Sequence, residues 1–267
     1  MKIVVLGGTG LIGAQVTKSL RAMGQAVLPA SRRSGVDVLT GVGLDQAMDG
    51  ADAVIDVTNT RTDGGAGAEN FFAAASANTL AAEMRAGVGH HIALSIVGAD
   101  REEHGGYFRA KAQQEAAVAR ARVPYSILRS TQFFEFAEMI AEWNTVDDTV
   151  RLPSTAMRPV ASGDVVTALV SLVRGTPLME ATEMAGPEEI ALDEFVRSVL
   201  LAHHDERYVV RDDTATPLGF NIDARVLAPG ADATLTQTTL ADWIAHREAP
   251  RTEGRHVAAF SFRDAPE

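Results

Sequence analysis

The chain has 267 residues, 46% hydrophobic and 22% charged, a globular composition that excludes disorder and collagen-like repeats. Its 24 Lys and Arg against 35 Asp and Glu leave a net charge of −11, which repels phosphate backbones, and no local basic patch offers a nucleic-acid grip. Cysteine is absent, so disulfides, thiolate metal sites and a cysteine nucleophile are excluded, and no apolar run reaches the roughly 18 residues of a membrane span. The opening MKIVVLGG runs straight into glycines without the layout of a secretion signal, so a cytoplasmic location is expected.

Lys2–Leu6 is a short, β-branched apolar run, as a buried parallel strand requires. It stops at Gly7-Gly8-Thr9-Gly10-Leu11-Ile12-Gly13, after which Leu11, Ile12, Val16, Leu20 and Met23 recur at helical spacing up to Gly24. Ala26–Ala30 follows as a second strand. In this strand–loop–helix–strand order, Gly8-x-Gly10-x-x-Gly13 fits a dinucleotide fingerprint, and Gly7-x-x-Gly10-x-x-Gly13 fits the variant of the short-chain dehydrogenases. One glycine makes the turn, the next admits the pyrophosphate, and the last lets helix pack on strand, while the helix start turns free N–H groups to the phosphates. A triphosphate-binding loop would need Lys and Ser/Thr where Ala14 and Gln15 stand.

An NAD site wants a carboxylate about 20 residues after the glycines, to hold the ribose hydroxyls. Pro29-Ala30-Ser31-Arg32-Arg33-Ser34 has none there. Two guanidiniums and two hydroxyls suit a 2′-phosphate, so NADP(H) is expected in preference to NAD(H), with Arg32 nearer the strand end than Arg33.

The alternation continues with a short third strand at 36–39, a brief helical link at 43–48 and a strand at 53–58, then Asn59. A glycine-rich loop, 63–67, leads into a long helix at 68–85 and a strand at 91–97. Beyond these come a helix at 107–122, a strand at Tyr125–Ser130, an apolar helix at 133–143 and an amphipathic helix at 164–174. Strands separated by helices imply an α/β fold: a Rossmann-type, doubly wound parallel sheet. Ligands lie beyond the carboxyl ends of such strands, which nominates Gly7, Thr9, Gly10, Leu11, Ile12, Gly13, Ser31, Arg32, Arg33, Thr58, Asn59, Ser95, Gln132 and Phe133 as rim residues.

From about Pro177 the alternation thins to a helix at 192–204, a strand at 208–212, a Pro/Gly loop at 227–232 and a helix at 240–246. Residues 1–175 form the expected core. Residues 176–267, with 133–160, form a smaller substrate lobe that does not fold alone, and the last dozen or so residues are expected to be loosely held.

Tyr107-Phe-Arg-Ala-Lys111 sets a phenol and an ammonium one helical turn apart on one face, twelve residues after Ser95 at a strand end. Hydride addition to a carbonyl develops an oxyanion that must receive a proton; a tyrosine can donate it if a nearby cation stabilises the phenolate. Tyr107, Lys111 and Ser95 are therefore the candidate catalytic residues, Ser95 as hydrogen-bond donor to the substrate oxygen. The bland alternative is that Tyr107 packs at a helix start and Lys111 is solvated. The pairs His90-His91 and His203-His204 are adjacent in sequence and so cannot each converge on one metal, and no zinc or calcium motif occurs. Phe71, Phe72, Phe133, Phe134, Phe136 and Trp143 are either core or walls for a flat substrate, and Arg158 either an anion contact or a surface ion pair.

GGTGLIG, SRRSGVDVLTG, SIVGAD, YFRAKAQQE and RSTQFFEF together resemble the NmrA-like, atypical branch of the short-chain dehydrogenases, most strongly over residues 1–138. The resemblance implies a Rossmann-type core binding NADP(H), with Lys111 on the nicotinamide ribose, and a branch that holds both reductases and NADP-binding sensors. The expected activity is reduction of a small carbonyl, enone or quinone-like molecule. The alternatives are a sensor without turnover and an epimerase or dehydratase working by transient oxidation. A small-molecule substrate is the expected partner, with no nucleic acid or membrane, and the chain as monomer or homodimer.

Overall fold

The computed structural model describes residues 1–60, 66–101, 106–215 and 228–248. In chain order the first half runs β1 (Lys2–Leu6), α1 (Leu11–Ala22), β2 (Ala26–Ala30), α2 (Leu44–Met48), β3 (Ala53–Asp56), α3 (Ala66–Ala86), β4 (His90–Ile96), α4 (Tyr107–Arg120) and β5 (Tyr125–Ser130). The second half runs α5 (Ala137–Trp143), β6 (Thr145–Val146), β7 (Thr149–Leu152), β8 (Ala156–Met157), α6 (Ser162–Arg174), β9 (Ala181–Ala185), β10 (Ile190–Ala191), α7 (Leu192–Ala202), β11 (Tyr208–Arg211), β12 (Thr234–Leu235) and α8 (Leu240–Glu248). The stretches 61–65, 102–105 and 216–227 and the last residues of the chain lie outside the described residues, and with them most of the glycine-rich loop, part of the 227–232 loop and the expectation about the C-terminal end.

Seven parallel strands form the central sheet in the order β12-β9-β5-β4-β3-β1-β2, an α/β fold of the Rossmann type. β1 sits inside because Ile3, Val4, Val5 and Leu6 are all fully buried, each such side chain contributing about 1.5–3 kcal/mol. The strand period sends Ile3 and Val5 towards α1 and α6, where they meet Val16, Leu20, Val165 and Leu169. Val4 and Leu6 point the other way, to Leu44 and Met48 of α2. Further along that second face, α3 and α4 cover β4 and β5 through Leu80, Ala93, Val118 and Ile127. α3 is rich in alanine, which lets it lie close to α4.

The sheet runs past residue 175, the expected end of the core: β9 pairs with β5 from Ile127↔Ala181 to Ser130↔Met184, and β12 pairs with β9. The smaller lobe is built from α5 to β8 together with β10, α7, β11 and α8, around Phe134, Ile140, Leu152, Phe195 and Trp243. It carries a three-stranded sheet, β11-β7-β6, and the pair β10-β8. A hydrogen-bond chain ties this lobe to the core: Gln15 of α1 donates to Ser162 Oγ at 3.0 Å, Ser162 Oγ to Glu135 at 2.6 Å, and Trp243 Nε1 to the same carboxylate at 3.2 Å.

Two expected elements differ. Residues 36–39 form no strand. The Asn78 side chain of α3 donates to the carbonyls of Val38 and Leu39 at 3.0 and 2.8 Å, and the Asp37 N–H bonds Val42 O, which folds the segment into turns. The helix expected over 133–143 starts only at Ala137, after a 3-10 turn at Phe134–Phe136, because the Phe134 N–H is drawn across to Val160 O at 2.9 Å.

Between α3 and β4 lies a sealed ion pair: His91 Nδ1 meets Glu83 Oε1 at 2.8 Å, both side chains buried. Burial opposes the imidazolium, but Glu83, with a smaller contribution from Asp56, outweighs it and raises the His91 pKa above 6.5. The folded chain therefore holds this proton more tightly than the unfolded chain, so the stabilisation is complete below pH 6.5 and is lost as pH rises through the higher folded-state value. Neighbouring His90 is lowered by burial and by His91, and so acts in the opposite sense at acid pH. As pH rises above 6.5, the urea midpoint of the native protein should fall relative to that of Glu83→Gln; parallel profiles mean the pair is not ionised.

The turn leaving β1 depends on missing side chains. Gly7 has φ +75°, and a Cβ there would stand 2.8 Å from Val57 O; a Cβ on Gly13 would stand 2.3 Å from Gly7 O. Gly13→Ala should therefore push the turn off α1 and cost about 1–3 kcal/mol in urea unfolding. A cost near zero would show that the close approach is relaxed in solution.

Candidate functional site

The strand order reverses at β1, with β2 on one side and β3 on the other, and the cleft of such a sheet opens beyond the carboxyl ends at that point. The glycine turn lies there, Gly7 against the backbone of Val57 and Thr58. Gly10 is the N-cap of α1 and supplies no side-chain cap, and the first turn has no acidic residue. The N–H groups at Leu11, Ile12 and Gly13 are thus a helix start with no side chain bonded to them, a site for an anion. Only their backbones face the cleft. The Ile12 side chain is part of the core and Leu11 packs against it, while Thr9 is exposed.

At the end of β2, Ser31–Arg32–Arg33–Ser34 makes a tight 3-10 turn in which Ser31 N–H donates to Ser34 Oγ at 2.8 Å and Ser34 Oγ donates back to Ser31 O at 2.9 Å. Arg32 and Arg33 are exposed and form no ion pair with a described residue. The Ser31 hydroxyl is buried with no partner. Two further rim atoms share that state, Ser95 Oγ at the end of β4 and Gln132 Oε1 just past β5. Buried polar atoms without a protein partner occur elsewhere among the described residues too, on α1, α3 and β4, and these three are the ones at the cleft rim. Phe133 beside Gln132 is almost buried, its ring 5.2 Å from Phe136.

The second group of expected residues lies on the α3–α4 face. Tyr107 opens α4, half-buried against Phe72 of α3 (ring centroids 5.9 Å apart), and its hydroxyl is hydrogen-bonded by the Asn59 side chain. Burial pushes its pKa up to about 12, with the Asn59 bond opposing the rise, so the phenol is protonated across the neutral range. One turn on, the Lys111 ammonium is buried. It donates to Leu94 O at 2.8 Å and to Gln114 Oε1, and stands 4.6 Å from the centre of the Phe72 ring. Burial brings its pKa down to about 8, while Asp56 and Glu115 hold it from falling further. The bland reading of a solvated Lys111 is therefore set aside. Ser95 makes no hydrogen bond to either Tyr107 or Lys111.

The structure adds two residues that the sequence did not nominate. Asp56, the last residue of β3, accepts from Thr58 N–H at 2.9 Å, Thr58 Oγ1 at 2.7 Å and Gln114 Nε2 at 3.1 Å. Gln114, a turn beyond Lys111 on α4, bridges that carboxylate to the ammonium. The signal for Gln114 was its i+3 spacing from Lys111; for Asp56 there was only a carboxylate at the end of a buried strand. Other candidates are engaged elsewhere. Arg158 donates to Pro187 O at 3.0 Å and faces Glu189, His90 meets Ser126 Oγ at 2.9 Å, and His203 pairs with Glu138. Phe134 lies in the lobe core, and Phe72 is fully buried.

No family model matches the chain, and no curated protein sequence matches it. Solved structures do. The dTDP-4-dehydrorhamnose reductase of Bacillus anthracis str. Ames, in complex with NADP, superposes with a TM-score of 0.64 at 15% identity, covering 91% of this chain and 92% of that one. The UDP-glucose 4-epimerase of Thermus thermophilus, in complex with NAD, gives 0.63 at 17% identity and 95% of each chain. The triphenylmethane reductase of a Citrobacter species gives 0.59 at 15% identity and 79% of each. At such identities the likeness concerns architecture, and that architecture is the Rossmann-type α/β fold with an added lobe.

Proposed function

We propose that the chain is an NADPH-dependent reductase of a small carbonyl, enone or quinone-like substrate. The observation that carries this reading is the pairing of a protonated, half-buried Tyr107 with a buried Lys111 one turn away, beside a glycine turn and a helix start that suit a pyrophosphate. The fold neighbours solved with NADP and with NAD support a nicotinamide cofactor. The exposed pair Arg32 and Arg33, with no ion-pair partner among the described residues and no carboxylate at the end of β2, supports the 2′-phosphorylated form.

In this reading NADPH supplies the hydride, and the chain's residues do the rest. The N–H groups of Leu11, Ile12 and Gly13 would hold the pyrophosphate, and Ser31, Arg32 and Arg33 the 2′-phosphate. Gln132 and Phe133 would face the nicotinamide, with Thr58 and Asn59 lining the cleft from the end of β3. Lys111 holds the ribose, and its charge favours the phenolate left when Tyr107 gives its proton to the substrate oxygen. Ser95 Oγ donates to that same oxygen. A second reading, an NADP(H)-binding sensor without turnover, is favoured by one observation: the Lys111 ammonium already has two partners inside the protein.

Fluorescence titration should find NADPH bound more tightly than NADH, with Arg32→Ala weakening NADPH about tenfold or more and leaving NADH unchanged. Equal affinities would sink the 2′-phosphate assignment. Stopped-flow oxidation of bound NADPH by a panel of aldehydes, enones and quinones then separates the two readings. Turnover should fall above about pH 8 as Lys111 loses its proton, and Tyr107→Phe should lower kcat about a hundredfold or more. No oxidation by any acceptor favours the sensor.

A further inference from the structure

The α3–α4 face holds a carboxylate that the mechanism above does not use. Asp56 takes three donors, two on Oδ1 from Thr58 and one on Oδ2 from Gln114 Nε2. Because a carboxylate only accepts, it fixes which way the Gln114 amide points: its NH2 towards Asp56, its carbonyl towards Lys111 Nζ. The negative charge on β3 is thus passed to the ammonium on α4 as an oriented dipole. The two bonds from Thr58 hold the strand end at the residue just before Asn59, and Asn59 is the group that bonds the Tyr107 hydroxyl. One buried side chain therefore reaches both members of the pair by separate routes, each two hydrogen bonds or fewer in length.

We propose that Asp56 is the positioning residue of the Tyr107–Lys111 pair, aiming the Lys111 ammonium through the Gln114 amide and setting Asn59 against the Tyr107 hydroxyl through Thr58. Its purpose rests on the reductase reading; its action on Lys111 does not. The other groups acting on the ammonium are Glu115 from α4 and the Phe72 ring from α3, while His91 of β4, paired with Glu83 of α3, also feels Asp56. Glu115 is tied to Arg129 of β5 at 2.6 Å, so it stays in place when Asp56 is changed.

The donor pattern makes a charge-relocation test available. In Asp56→Asn the oxygen keeps Thr58, but the new NH2 meets the Gln114 NH2; if Gln114 flips, its NH2 meets the ammonium instead. One donor–donor contact remains whichever way the amide turns. Adding Gln114→Glu removes it: the amide NH2 introduced at position 56 then donates to one carboxylate oxygen, and Lys111 to the other. The double variant restores every bond and moves the negative charge one residue closer to Lys111.

Lys2, Lys18 and Lys111 are the chain's three lysines, so the side-chain methylene signal of Lys111 in the full-length, lysine-labelled protein is assigned by its loss in Lys111→Arg. Followed from about pH 6 to 10, the native midpoint is expected near 8. Asp56→Asn should lower it by about half a unit or more, and the double variant should bring it back to the native value or above. An unchanged midpoint in the single variant, or no recovery in the double, overturns the proposal. Mere loosening of the fold would lower thermal stability without a midpoint that follows the charge. Should Asp56→Asn not fold, the double variant decides alone: a midpoint at or above the native one supports the relay, a lower one overturns it. NADPH titration runs beside these measurements. An affinity that falls in the single variant and returns in the double supports the positioning role. Failure of the native chain to bind NADPH removes the reductase reading while the Lys111 midpoint still reports on Asp56.

Discussion

Helices α3 and α4 seal one face of the sheet from water, so a charge placed there must find its counterpart inside the protein. Asp56, Glu83, His91 and Lys111 share that face at 3%, 0%, 1% and 2% exposure, with the Glu115–Arg129 pair beside them. An unpaired charge in such a place costs several kcal/mol, which exceeds what any one surface contact returns. The requirement settles the architecture on this side. At one end of the face the His91–Glu83 pair pins α3 to β4. Towards the carboxyl ends of the strands, Asp56, Gln114 and Lys111 pin α4 to β3 and to the Leu94 carbonyl of β4. The residues that fasten the helices are also those that aim the candidate site, so the rigidity of the fold and the geometry of the site have one origin.

How much of this was legible in the sequence follows from how local each signal is. The apolar runs within β1, β3, β4 and β5 mark themselves, because a strand covered on both faces is apolar over most of its middle. The glycine turn was readable for a related reason, since Gly7 and Gly13 answer to backbone contacts within a few residues or at a strand end. Tyr107 and Lys111 are neighbours through the helical repeat alone. The residues missed are those whose role depends on a distant partner: Asp56 acquires its meaning from Gln114, 58 positions later. Likewise 36–39 has the composition of a strand, but Asn78 of α3 takes up its carbonyls. The short strands β6, β8, β10 and β12 have two residues each, too few for any period to show.

The lobe is not a separate body resting on the core. Glu135 accepts both from Ser162 at the start of α6 and from the Trp243 indole of α8, while Gln15 of α1 bonds the same Ser162 hydroxyl. α1 is the helix whose uncapped first turn faces the cleft, so the lobe is anchored to an element of the candidate site. Its sequence contributions come from before and after α6, in keeping with the thinning alternation beyond Pro177 and the assignment of 133–160 to the lobe. The sheet ignores the expected boundary at residue 175, taking β9 and β12 as its far edge.

Both margins of the seven-stranded sheet are poor templates for another strand. β2 borders solvent on one side and carries Pro29, which has no N–H to offer an incoming chain. Pro29 also lies against Gly8 so closely that a Cβ on Gly8 would sit 2.7 Å from it, which keeps the proline in the strand and the glycine in the turn. At the opposite margin β12 is only two residues long. A parallel sheet exposed during synthesis is prone to edge-to-edge aggregation, and here the proline packed against the glycine turn also protects the margin beside it.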